Sequence, residues 1–429
     1  MGPAFSSVPF FGKGKRTGMK AVGIIAEYNP LHNGHIYHMK KARNLSGADT
    51  VVAAMSGNFV QRGMPAVFDK WTRTEHALLC GADLVIEIPV ISCLGNAGQY
   101  AESGVRLLES LGCVPYISFG SESGKTEYLK AAADFIRENR KAMDALIAEA
   151  VTEGLSFPRA RAKAYSLLGG PLGAIPDSPN DILALEYISA MRSSEPLAVT
   201  RKGAGYHDAY EDSGRYQSAS ALRDMMRSGL DISGAVPGCT ADSSSDIPVL
   251  TAEGEARLFD LVRYAVMSRS PEWIDDCPSG GEGLGNLLKR SCRDACSLDE
   301  LISTVKSKRY TYTRISRLCM QVLLGITRTV CDWKMSEPAY IRVLGFTGRG
   351  QQLLSEIKAG GFASLPVITN INKEADLTDD RGQKLLELDV YASDIYSLLT
   401  GRDMGRYSDH RQKPVIVREE KEKTANLCD

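Results

Sequence analysis

At 429 residues the chain exceeds what one hydrophobic core ordinarily serves, so two folded units are expected. Its 51 basic and 52 acidic residues nearly cancel, which argues against indiscriminate, charge-driven adhesion to nucleic acid but leaves room for a local basic patch. The 43% apolar content is that of a globular protein, and no apolar run reaches bilayer-spanning length, so no membrane partner is expected.

Residues 1–18 (MGPAFSSVPFFGKGKRTG) lack the apolar core of a secretory signal and read as a flexible extension. From Met19 to about Ser228, strand-like and helix-like segments alternate. Strands are predicted at Ala21–Ala26, Thr50–Met55, Asp83–Ile88, Tyr116–Phe119 and Leu197–Arg201. Helices are predicted at Gly34–Leu45, Lys70–Leu79, Ala97–Leu111, Lys125–Arg140, Arg159–Leu168, Asp181–Met191 and Ala219–Met226. That order predicts an α/β fold, a parallel sheet with helices on both faces and its ligand beyond the carboxyl ends of the strands. A Gly/Ser/Asp-rich passage, Ser233–Asp246, marks the boundary between a first domain, 19–235, and a mostly helical second one, 236–429. Within the second, Tyr340–Asn372 is mixed, with two short β-like runs. Ten cysteines without a CxxC pair read as reduced thiols rather than metal ligands and fit a cytosolic setting.

The candidate chemistry begins where the first strand ends, in Ile25-Ala26-Glu27-Tyr28-Asn29-Pro30-Leu31-His32-Asn33-Gly34-His35. Two histidines flank a glycine at the start of a helix, whose first N–H groups favour negative charge. Gly34 has no Cβ to keep a phosphate away. His32 and His35 are therefore the candidate catalytic pair, donors set in advance where charge develops on a reacting phosphate. His38 shares the helix face of His35. After the second strand, Asn58, Gln61 and Arg62 offer donors toward the same rim, suited to a small anion. Gly120 closes the fourth strand and lets an adenine or ribose lie against the backbone. Asn180 stands at a helix start as a candidate N-cap. Arg201 and Lys202 follow the fifth strand, two cations for triphosphate oxygens. Gln217-Ser218-Ala219-Ser220-Ala221-Leu222-Arg223 opens the next helix. In the second domain, Lys306, Lys308, Arg309, Arg314 and Arg317 interleave with Tyr310 and Tyr312, a mixture that grips phosphates and stacks on unpaired bases.

The string from Gly23 to His35, with its His-x-Gly-His, resembles the nucleotidyltransferases that attack the α-phosphate of ATP or CTP and release pyrophosphate. More closely, it is similar to the tRNA(Met) cytidine acetate ligases. The likeness continues through Asp69-Lys70-Trp71, Gly120, Asn180 and Arg342–Gly350. The Ser218–Arg223 string resembles the superfamily's second signature, with Ala221 where Ser or Thr is usual. The resemblance implies a Rossmann-like nucleotidyltransferase domain followed by a tRNA-binding one. It also implies ATP contacts at Ile25 through His35, His38, Gly120, Asn180, Arg201, Lys202, Ser218, Ser220 and Arg223. In the implied reaction acetate attacks the α-phosphate of ATP, and the N4 of the wobble cytidine of elongator tRNA(Met) then takes the acetyl group from acetyl-adenylate. Magnesium is expected with the triphosphate. Asn58, Gln61 and Arg62 are candidates for acetate or tRNA. The group that deprotonates N4 is not visible in the sequence. Two rivals stay open: nucleotidyl transfer to a small phosphorylated metabolite, and an RNA-binding protein with a regulatory nucleotide site.

Overall fold

The computed structural model describes residues 18–155, 157–171, 175–201, 216–245, 247–307, 309–331 and 334–418. Ten strands occur among them: β1 (Ala21–Ala26), β2 (Thr50–Ser56), β3 (Phe59–Val60), β4 (Met64–Pro65), β5 (Leu84–Ile88), β6 (Tyr116–Ser121), β7 (Glu195–Thr200), β8 (Ile341–Thr347), β9 (Val367–Ile368) and β10 (Val415–Val417). The main sheet runs β10-β8-β5-β2-β1-β6-β7, with β9 also paired to β8. β1 lies parallel to both β2 and β6, and β2 parallel to β5, as the alternating pattern requires.

Burial on both faces explains why these strands read as near-continuous apolar runs. Side chains still alternate. Ala21, Val52, Ala54, Leu84 and Ile86 face one layer, with Leu108, Leu129 and Ala184 from the helices Ala97–Ser110, Thr126–Glu138 and Pro179–Ala190. Val22, Val51, Ala53 and Val85 face the other, against Met39, Ala42, Ala77 and Leu78 from the helices Asn33–Ser46 and Lys70–Leu79. The predicted helix Lys125–Arg140 is two, Thr126–Glu138 and Arg140–Thr152, meeting at Asn139.

Helices Ala252–Ser268, Leu284–Asp294, Leu298–Val305, Tyr312–Leu324 and Asp380–Leu399 build a second core around Val262, Leu288, Ile302 and Leu318. Phe59, Ile91 and Leu94 from the first half join that core. A cut at residue 235 therefore does not separate two sheets or two cores. β8 runs antiparallel to β5, Leu84 opposite Phe346 and Val85 opposite Gly345, and β10 extends the same edge. The reason is the edge itself: β5 is fully buried and, Glu87 apart, apolar, and a strand of that kind needs a partner on its open side.

A buried ionic cluster ties the two halves together. Lys70 Nζ lies 2.8 Å from Glu87 Oε1 and 2.7 Å from Asp409 Oδ2. Arg342 Nη1 reaches the same two carboxylates at 3.2 and 2.9 Å. Among the described residues no helix is long and apolar enough to cross a membrane.

Candidate active site

A cavity of about 440 Å³ opens beyond the carboxyl ends of β1, β6 and β7. His32 and His35 face it from the first turn of the helix Asn33–Ser46. His32 caps that helix, its Nδ1 accepting from Gly34 N–H at 3.1 Å. His35 Nδ1 accepts from His32 N–H at 3.2 Å, so the two rings cap the helix reciprocally. The rings stack with centroids 3.7 Å apart. Each Nδ1 is thereby committed as an acceptor, and each neutral ring carries its proton on Nε2, a donor for an oxyanion. Burial, helped by the Arg201 charge, lowers His32 to about 4, and burial, then charge on His32, His38 and Arg201, takes His35 well below its ordinary value. At neutral pH both act as dipolar donors rather than cations. His38 is tied elsewhere, its Nε2 lying 2.9 Å from Ser118 Oγ on β6.

These rings make stability depend on pH. His32, His38 and His76 are each lowered to about 4 by burial, and His35 is lowered too. An unfolded histidine titrates near 6.5, so the unfolded chain binds more protons below that value. Stability is fully present above about 6.5 and falls as the pH drops toward 4, by on the order of 3 kcal/mol for each of His32, His38 and His76. Urea midpoints measured from pH 7 down to 4 are expected to decline steadily, and a flat profile refutes burial of neutral rings.

Glu27 directly follows the first strand and lines the cavity, its Oε1 accepting from Gln61 N–H at 2.9 Å. Its carbonyl accepts from Arg73, a fully buried guanidinium that also donates to Phe68 O, Ser56 O and Gly57 O. Arg73 thus welds the ends of β1 and β2, and no linear pattern announced it. Gln61 and Arg62 reach the rim from the turn between β3 and β4. That turn docks on the helical half. Gly63, at φ +81°, has no room for a Cβ against the Arg317 backbone, and Ser316 Oγ donates to Gly63 O at 2.8 Å.

Ile25, Ala26, Tyr28, Asn29, Gly34, His38, Gly120, Asn180, Arg201 and Ser218 line the cavity. The structure places other expected contacts outside it. Leu31 is buried in the apolar layer and Pro30 is buried beside it. Asn33 bonds instead to Ala235 O at 3.0 Å and Gly234 O at 3.2 Å. Asn58 is buried, its Oδ1 accepting from Lys70 N–H at 2.7 Å, so it braces a helix start rather than offering a donor. Ser220 and Arg223 stand behind the wall: Arg223 Nη1 donates to Asn29 O at 2.7 Å and Nη2 to Ser220 Oγ at 3.0 Å. Ser218 caps the helix Ala219–Arg227 by accepting from Ala221 N–H, so the missing hydroxyl at Ala221 leaves the cap intact. Asn180 is not a cap. Ser178 holds that position, and Asn180 bridges Glu122 and Arg201. Lys202 lies outside the described residues. Tyr37, Tyr100, Ile182, Leu183, Tyr187 and Tyr216 also line the cavity; all but Tyr216 sit on helices, where aromatics and aliphatics look like core in sequence.

The basic stretch is more bound than its composition implied. The Tyr310 ring is buried and its hydroxyl donates to Glu282 at 2.8 Å, while Tyr312 donates to Asp299 at 2.8 Å. Arg314 donates to Ser279 O and Gly280 O, each at 3.0 Å, and Arg317 is mostly sheltered beside Gly63. Lys306 and Arg309 are exposed, Arg309 pairing with Glu282 at 2.9 Å, and Lys308 lies outside the described residues.

Comparison with known proteins accords with this geometry. The family model for HIGH Nucleotidyl Transferase matches residues 19–411. A tRNA(Met) cytidine acetate ligase of Clostridium perfringens is 36% identical over 413 residues, covering 93% of this chain and 100% of the relative. The protein of that name from Acetivibrio thermocellus is 35% identical, covering 88% and 94% respectively. A crystal structure of Thermotoga maritima TmcAL bound with alpha-thio ATP superposes with a TM-score of 0.83 at 31% identity, over 93% of this chain and 100% of that one. A capped His-x-Gly-His helix over a nucleotide-sized cavity, together with likeness along almost the whole length, places the chain in the tRNA(Met) cytidine acetate ligase family of the HIGH nucleotidyltransferases.

Proposed function

We propose that the protein joins acetate to the α-phosphate of ATP, releasing pyrophosphate, and passes the acetyl group to N4 of the wobble cytidine of elongator tRNA(Met). The observation that carries this reading is the pair of Nε2–H donors, locked by reciprocal capping, on a cavity of about 440 Å³, a volume suited to a nucleotide. Those donors stabilise charge growing on the α-phosphate oxygens, and the buried site strengthens them by excluding water. Arg201 adds a cation at the same rim, and Gln61 with Arg62 forms a donor pair for the acetate carboxylate. No covalent enzyme intermediate is needed, because acetyl-adenylate is already an activated acyl donor.

Magnesium would travel with the triphosphate. Among the described residues no group of three or more His, Cys, Asp or Glu side chains can hold a metal, so its ligands would be phosphate oxygens and water. The ion would screen charge on the leaving pyrophosphate. Among the described residues Lys306 and Arg309 are the exposed cations of the basic stretch and would hold tRNA phosphates. Arg309→Ala is expected to weaken tRNA binding about threefold to tenfold and to reduce the slope of log affinity against log salt by about one. A titration at several salt concentrations reads both quantities.

The deciding experiment incubates the protein with ATP, acetate and bulk tRNA and analyses the nucleosides by mass spectrometry. N4-acetylcytidine that appears only with all three supports the reading. A product found on a small phosphorylated metabolite, with tRNA unchanged, would replace it.

A further inference from the structure

We propose that Glu27 is the proton acceptor of the acyl-transfer step, taking the proton from cytidine N4 as it attacks acetyl-adenylate. The inference rests on the reaction proposed above and assigns a role that the sequence left vacant.

It comes from asking which cavity wall group is able to accept a proton. His32 and His35 are not: their Nδ1 atoms already accept backbone N–H bonds, and their Nε2 atoms carry the ring protons. His38 is held by Ser118. Tyr28, Tyr100 and Tyr187 are buried, and burial raises each of them, which keeps the phenols protonated. Arg62 and Arg201 are cations. Among the described wall residues that leaves one carboxylate, Glu27.

Its setting suits the task. Glu27 follows the last residue of β1, so a rigid strand positions its backbone, and Arg73 clamps its carbonyl at 2.7 Å. The Gln61 N–H bond at 2.9 Å fixes Oε1 and leaves Oε2 to meet a substrate proton. The charges that face it are the guanidinium groups of Arg73 and Arg223, with Tyr100, Tyr187 and Cys93 also close by. In the step itself the N4 lone pair forms the N–C bond to the acetyl carbonyl carbon. The acyl C–O bond to phosphate breaks with its electron pair leaving on AMP. The N4 proton passes to Glu27 and from there to water.

The test is Glu27→Gln, which keeps an oxygen to accept from Gln61 N–H. Two reactions are followed with the full chain: acetate-dependent exchange of pyrophosphate into ATP, and single-turnover transfer from synthetic acetyl-adenylate to tRNA. Transfer is expected to fall about 100- to 10,000-fold, at least about tenfold further than any fall in exchange. Equal losses in both would overturn the proposal and assign Glu27 to the nucleotide or its magnesium. No loss in either would also overturn it, with the leaving phosphate taking the proton itself. Wild-type protein that makes no acetyl-adenylate would sink the parent reading, a result distinct from either variant outcome.

Discussion

His32→Asn is expected to lower acetate-dependent exchange of pyrophosphate into ATP by about 100- to 1,000-fold while leaving the fold close to its original stability. Asparagine is among the best N-caps, so its side chain replaces the Nδ1 that accepts from Gly34 N–H. It cannot replace the Nε2–H that points into the cavity. His32→Ala removes both functions and should cost a further ~1 kcal/mol of stability. The pair of variants therefore separates the cap from the chemistry. Should the asparagine variant exchange as fast as wild type, the ring would matter only as a helix cap, and the proposed role in adenylation would fail. Binding of tRNA, measured alongside, is expected to be unaffected.

Lys70→Ala is expected to destabilise the protein by about 3–5 kcal/mol. Its ammonium is wholly buried between Glu87 and Asp409, and among the described residues Arg342 alone would then pair with two enclosed carboxylates. The loss is an uncompensated charge rather than a missing attraction, since replacing a whole buried pair by apolar groups is often harmless. Urea unfolding reads the effect directly. A change below about 1 kcal/mol would mean that the carboxylates protonate or that water enters.

The parallel half of the sheet was readable because its strands are buried on both faces, so runs such as Ala21–Ala26 and Thr50–Ser56 are continuous signals. The antiparallel partner was not. The residues of β8 look like a strand, but nothing local says that Val343 pairs with Ile86. His32 and His35 were legible as a motif, whereas their tautomers depend on two backbone N–H bonds visible only in three dimensions. Asn58 was misplaced because an amide beneath a helix start and one on a rim are identical in sequence. Tyr310 and Tyr312 looked free because the acids that hold their hydroxyls, Glu282 and Asp299, stand 28 and 13 residues upstream.

The antiparallel pairing of β8 with β5 also has a bearing on biosynthesis. While the polypeptide is still emerging from the ribosome, residues 84–88 present a bare apolar margin until residues 341–347 are made. Nascent or prematurely terminated chains therefore display a sticky flank to one another, and most of the message must be read before it closes. The nucleotide cavity, at the ends of β1, β6 and β7, belongs to the same sheet as that flank. Incomplete products are thus exposed to chaperones and proteases rather than released as stable, half-built enzymes.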